Sequence, residues 1–209
     1  MFLQRFIYIY LLGFIFSMIS CYSNNEDYPG AIEPPNTIRE AFQTIYPKAE
    51  QDIWTVSNNY YVIHFLNQGL TNVTWLNHLG EWAMIKTNIP TDLLPSSILE
   101  SIQQSNYQHW QLIEADTIRR AGMDTIYKTD MKLNKQEVYL YYTAYGSLIQ
   151  AVTQFPYIDS PIPIPEQVSQ LMKTDYPNSI LLNIEITPSS DTLLAILEKT
   201  VLKIIQLPN

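Results

Sequence analysis

Tyr60–Phe65 (YYVIHF), the turn Asn67–Gly69 (NQG) and Thr71–Leu76 (TNVTWL) form the stretch that decides the fold. Tyr61, Ile63 and Phe65 alternate with Tyr60, Val62 and His64, which is the two-residue period of a strand. The second run is again β-branched and aromatic, so the pair reads as a hairpin closed at the glycine. Working outward, Asp52–Val56 supplies a strand before it. A turn at Asn77–Gly80 leads into another strand at Glu81–Ile85. The stretch as a whole predicts an antiparallel meander.

Ahead of this meander lies helical spacing. Ile38, Phe42 and Ile45 fall at i, i+4 and i+7, and Pro47 stops the helix at Tyr46. The same order recurs twice. Leu94–Tyr107 carries Ile98 and Ile102 at i, i+4, and Ile164–Tyr176 carries Val168, Leu171 and Met172 at i, i+3, i+4. Pro95 and Pro165 suit a first helical turn. Strands are predicted after the second helix at 111–117, 126–133, 137–143 and 147–153, and after the third at 180–187, 192–197 and 200–207. The fold class is therefore α+β, a repeated helix followed by an antiparallel three- to four-stranded meander, with the helices packed on one sheet face. The units run 36–90, 94–155 and, as a partial third, 164–209.

The first residues predict export. One positive charge at Arg5 precedes an uncharged, mostly apolar run, Phe6–Ser20, which is the form of a secretory signal peptide over residues 1–20. An uncleaved anchor helix is the competing reading, although the run is short for a membrane span. Met18-Ile19-Ser20-Cys21 resembles the bacterial lipobox, which implies cleavage before Cys21 and lipidation of its thiol. Cys21 is the only cysteine, so no internal disulfide is available. The polar, turn-prone residues up to Pro35 then read as a tether, 21–35 counted with the cysteine. No Asp follows Cys21, so outer-membrane sorting is the expectation, facing the periplasm or the cell surface.

The 209 residues carry a net charge of −8. Without Arg5 the chain has 11 Lys and Arg against 20 Asp and Glu, or −9. An acidic chain without basic runs is a poor ligand for nucleic acid or for anionic lipid. The membrane partner is thus expected through the lipid alone.

With these residues in order, the chain resembles the PepSY-like lipoproteins of Bacteroidetes, which have a fold like the β-lactamase inhibitor protein. Tyr46-Pro47-Lys48-Ala49 matches the family's helix exit, Tyr61–Phe65 with Asn67–Gly69 its central hairpin, and Leu76–Trp82 its last turn and strand. Leu94-Pro95 opens the second unit and Tyr142–Leu148 closes it. The family's Asp before the last turn is Asn77 in one unit and Thr143 in the other, and the second unit carries an insertion around Thr117–Thr125. The resemblance implies an extracytoplasmic binding or inhibitory module rather than a reaction.

A search for chemistry returns little. His64, His78 and His109 have no metal-ligand spacing. No nucleophile elbow, phosphate loop or dinucleotide fingerprint is present. Carboxylates at Glu50/Asp52, Glu114/Asp116, Asp124, Asp130 and Glu137 are scattered. Glu114 and Asp116 share a strand face, which permits acid–base work, but charges also protect strand edges. No cofactor and no catalytic or metal residues are expected. The aromatic content, 15 Tyr and 4 Trp, points instead to recognition. Neighbours such as Tyr60-Tyr61 and Tyr141-Tyr142 must face opposite sides of a sheet. Tyr60, Trp75, Trp82, Tyr139 and Tyr141 are the candidate binding surface for a protein or peptide; strand propensity and core packing are the competing account of these aromatics. Asp-Thr-aliphatic triplets at Thr117, Thr125 and Thr192 resemble the O-glycosylation acceptor of Bacteroidetes exported proteins. Three functions follow: a non-catalytic, membrane-anchored binding module, a structural accessory of the envelope, or an enzyme on an unfamiliar scaffold.

Overall fold

The computed structural model describes residues 30–153, 161, 164–176, 181–187, 192–197 and 200–204. The predicted signal peptide, Cys21 and most of the tether lie outside the described residues. The first helix, α1 (Asn36–Ile45), precedes β1 (Ala49–Ser57), β2 (Tyr60–Asn67), β3 (Leu70–Leu76) and β4 (Trp82–Ile89). A 3-10 turn at Thr91–Leu93 leads to α2 (Ser96–Gln103), β5 (Gln111–Arg120), β6 (Ile126–Leu133), β7 (Gln136–Thr143) and β8 (Leu148–Val152). A third helix, α3 (Glu166–Thr174), precedes β9 (Leu181–Thr187), β10 (Thr192–Leu197) and β11 (Thr200–Ile204).

Strands β1 to β8 form one antiparallel sheet in sequence order, and β9 to β11 form a second. The first two predicted units therefore share a single sheet. Their seam is the β4–β5 pairing, from Met84 opposite Arg120 to Ile89 opposite Ala115.

Both α1 and α2 lie on the same face of the eight-stranded sheet. Ile38 and Phe42 of α1 pack on Trp54, Ile63, Phe65, Leu76 and Ile85. Ile98 and Ile102 of α2 pack on Ala115, Met131, Val138, Leu140 and Tyr142. Phe42 meets Trp54 and Phe65 edge-on, at ring-centroid distances of 5.2 and 5.1 Å. Each helix starts on a proline in extended geometry, Pro35, Pro95 or Pro165. The helix α2 is shorter than Leu94–Tyr107 because Ser105 intervenes. Its hydroxyl bonds the Ile102 carbonyl and accepts the Tyr107 amide, which replaces the next helical turn.

The two halves close by the same turn. Asn77 Oδ1 accepts the amides of Leu79 and Glu81, and Thr143 Oγ1 accepts those of Tyr145 and Ser147. The turn glycines Gly80 and Gly146 each have φ +81° and press against the helix of their own half. A Cβ at Gly80 would stand 2.9 Å from Ala41 Cβ, and one at Gly146 only 2.3 Å from the Ser97 carbonyl oxygen. Hydroxyls of Ser97 and Ser101 bond the Ala144 and Gly146 carbonyls, tying the turn to α2. Asn77 and Thr143 thus serve the same backbone role, and either an amide or a hydroxyl can do that work.

The insertion around Thr117–Thr125 is a longer strand and a turn that carries α3 and β9. Ile164 lies against Gly122, Asp124 donates its amide to the Leu181 carbonyl, and Val168, Leu181 and Ile184 form a small core with Met123.

Candidate binding face

Among the described residues, no helix packs on the other face of the eight-stranded sheet. Strand alternation places Tyr60, Val62, His64, Trp75, Met84, Lys86, Asn88, Asp116, Ile118, Arg120, Ile126, Lys128, Asp130, Tyr139 and Tyr141 there, in register across the strands. Its middle is closely packed. Met84, Ile118, Ile126 and Tyr141 are buried together, with Trp75, Tyr139, Ile149 and Val152 around them.

Beside this apolar patch runs a buried charged row. Lys128 Nζ lies 3.6 Å from Asp116 Oδ2 and 3.2 Å from Asp130 Oδ1, and 4.7 Å from the centroid of the Tyr139 ring. The Lys128 and Asp116 side chains are each only 4% exposed. Charges this deep need partners, since removing either ion from water costs several kcal/mol. Asn88 Nδ2 donates to Glu114 Oε1 at 2.6 Å and to Asp116 Oδ1 at 3.3 Å, joining β4 to the row. Burial, together with Asp116 and Asp130 nearby, raises the Glu114 pKa, and Lys128 and Lys86 offset part of that. His64 is shifted down by burial and by Lys86.

The candidate aromatic residues separate into three groups. Tyr60, Trp75 and Tyr139 lie on the helix-free face and are half-buried. Tyr141 lies on that face too but is fully buried, enclosed by Met84, Ile118 and Ile126. It is therefore core, not contact surface. Trp82 is on the opposite face, packed into the α1 core. Strict alternation from Met84 would place it on the helix-free side; the register slips between Trp75 and Leu76, pairs Leu76 with Trp82 and turns the indole over. The tyrosine pairs divide as alternation requires, with Tyr61 and Tyr142 on the helix side.

Glu114 and Asp116 do share a face, but β5 is an interior strand, so edge protection is not their role. Glu137 pairs with Lys132 at 2.7 Å near the β6–β7 turn. Among the described residues no cluster of His, Cys, Asp and Glu could hold a metal ion, and His78 and His109 are exposed. Thr117 is half-buried on the helix side of β5, Thr125 follows Asp124 in the β5–β6 turn, and the Thr192 side chain lies outside the described residues. Sequence reasoning missed Lys128 and Arg120. Their signals were the alternations Asp116, Ile118, Arg120 and Ile126, Lys128, Asp130, each of which puts cation and anion on one face.

Residues 59–150 match a family model described as "Putative beta-lactamase-inhibitor-like, PepSY-like". The likeness is to this segment, less than half of the chain. It holds β2 to β7 complete, with α2 and most of β8, so the charged row lies wholly inside the matched segment. Solved structures share the architecture. A BLIP-like protein from Bacteroides fragilis aligns with TM-score 0.56 and 22% identity, over 62% of this chain and 94% of its own. A DUF2874 family protein from Bacteroides uniformis aligns with TM-score 0.55 and 20% identity, over 57% and 89%. One of the "putative periplasmic proteins" of Bacteroides eggerthii gives TM-score 0.56 and 18% identity, over 58% and 89%. At these identities the likeness is one of fold. No curated protein matches the sequence. No helix among the described residues is long and apolar enough to cross a membrane.

Proposed function

We propose that this protein is an exported, non-catalytic binding module, lipid-anchored through Cys21 at the outer membrane, that takes a protein or peptide on the helix-free face of its sheet. The observation that carries the reading is the placement of Tyr60, Trp75 and Tyr139. They stand half-exposed on that one face, Trp75 beside the buried Met84–Tyr141 patch and Tyr139 against Lys128 of a charged row already held in place by Asp116 and Asp130. Rigid aromatic side chains with polar tips bind with little loss of conformational freedom. Ordering the charges before the partner arrives lowers the cost of association. The periplasmic description of the Bacteroides eggerthii relative and the lipobox-like Met18–Cys21 support an extracytoplasmic setting.

Photo-crosslinking side chains at Tyr60, Trp75 and Tyr139, introduced one at a time in intact cells, test the surface. The expected result is one discrete adduct shared by these positions and absent from exposed Thr44 on α1. The same adduct from Thr44, or none from any of the three, overturns the binding face. For the anchor, Cys21→Ser should abolish incorporation of labelled fatty acid; undiminished labelling rejects lipidation.

A further inference from the structure

The two edges of the eight-stranded sheet are built differently. On β1, the backbone of Gln51 takes φ +56° and the register slips between Glu50 and Ile53. Glu50 and Asp52 add negative charge, and Ile32 donates its amide to the Trp54 carbonyl at 2.8 Å, occupying the edge. Bulges, charges and a covering segment are the devices that prevent edge pairing. The last strand, β8, also bulges, at Ile149, where Tyr141 faces Gln150 and Tyr142 faces Leu148, but among the described residues it has neither a charge nor a covering segment. Leu148-Ile149-Gln150-Ala151-Val152 contains no charge and no proline, its Leu148 and Ala151 side chains are exposed, and among the described residues it pairs only with β7. It belongs to an uncharged run from Val138 to Ile158, in a chain of net charge −8.

The position of β8 has a precedent within the same sheet. It is the fourth strand after α2, as β4 is the fourth after α1. The strand that follows β4 in the chain, β5, pairs along it, but the strand that follows β8 belongs to the second sheet. We propose that a second copy of this chain supplies the missing neighbour, with β8 pairing antiparallel to β8 of the other copy across a two-fold axis. Antiparallel pairing of identical strands is self-complementary and closes at two copies. Two acidic chains repel each other over most of their surfaces, and an uncharged edge is where that repulsion is least. A five-residue edge buries far less than the roughly 1,200 Å² of a standard interface, so the contact is weak in dilute solution.

Single cysteines at positions 148 to 152 of the full chain, oxidised in intact cells, test this, with the unaltered chain as control for Cys21. The expected result is a disulfide-linked homodimer at one or two of the five positions, none at Ser57→Cys on β1, and at least a tenfold loss of the dimer when Leu148→Lys or Ala151→Lys, whichever leaves the linking position free, is added. Circular dichroism of the lysine variant checks that it stays folded. No homodimer at any of the five positions, a homodimer that persists in the lysine variant, or a link to a different protein overturns the proposal.

Discussion

Lys128 and Asp116 face each other across β6 and β5, Nζ to Oδ2 at 3.6 Å, on the sheet face opposite α1 and α2. Both side chains are as buried as core residues. Removing one charge strands the other. Lys128→Ala should therefore destabilise the fold by about 3–5 kcal/mol, and Lys128→Met with Asp116→Asn should recover much of that loss. Urea unfolding of the two variants measures both. A Lys128→Ala loss below about 1 kcal/mol, as for surface pairs, would show the pair to be solvated.

Gly146 is held against Ser97 by more than its own backbone preference. Gly146→Ala would force a Cβ to 2.3 Å from a backbone oxygen, in addition to the cost of φ +81°. Gly69, with φ +78°, has nothing within 4 Å of the same atom. Gly69→Ala should cost about 1 kcal/mol and Gly146→Ala at least twice that, because a backbone contact cannot move aside cheaply. Thermal melts of the two variants compare them directly, and equal losses would remove the steric contribution.

Tyr142 is 1% exposed in the α2 core, and its hydroxyl has no hydrogen-bond partner among the described residues. Burial, with a smaller contribution from Tyr107, raises its pKa to about 12. A buried hydroxyl without a partner costs about 1–3 kcal/mol, so Tyr142→Phe should be neutral or stabilising. The same raised pKa means that stability falls as pH climbs from about 10, the free phenol value, towards 12. Tyr142→Phe should flatten that fall. A variant clearly less stable at neutral pH would reveal a bonded hydroxyl.

Glu114 has its carboxyl pKa raised by burial and by Asp116 and Asp130. A raised carboxyl pKa means the folded chain holds its proton longer than the unfolded chain. Its contribution to stability therefore falls as pH rises from the unfolded value through the folded one. Glu114→Gln should match the wild type at about pH 3.5 and exceed it at about pH 7. Paired unfolding curves at the two values check this, and a gap that narrows with rising pH reverses the sign.

The strands were legible because their side chains alternate. Tyr61, Ile63 and Phe65 on one side of β2, and Tyr139 and Tyr141 on the far side of β7, follow from a two-residue period with no knowledge of neighbours. The helices were legible from Ile38/Phe42 and Ile98/Ile102 and from their prolines. Trp82 was not, because a single extra residue in β4 reverses its side and leaves no trace in composition. Alternation puts Tyr141 on the helix-free face, but its burial depends on Met84, Ile118 and Ile126 from three other strands. Alternation puts Glu114 and Asp116 on one face but does not show that β5 is interior, because the β4–β5 pairing joins residues separated by a whole helix.

By itself the sequence determined the elements, their order, the turns at Asn77 and Thr143, and which residues share a strand face. These are local properties, set by side-chain period, by proline and glycine geometry, and by hydrogen bonds within a few residues. Only the tertiary structure decided that two meanders fuse into one sheet, that Lys128 and Asp116 meet in its interior, and that the uncharged β8 ends it. Those outcomes depend on pairing between distant strands, whose register is fixed by the combined packing of both faces rather than by any single segment.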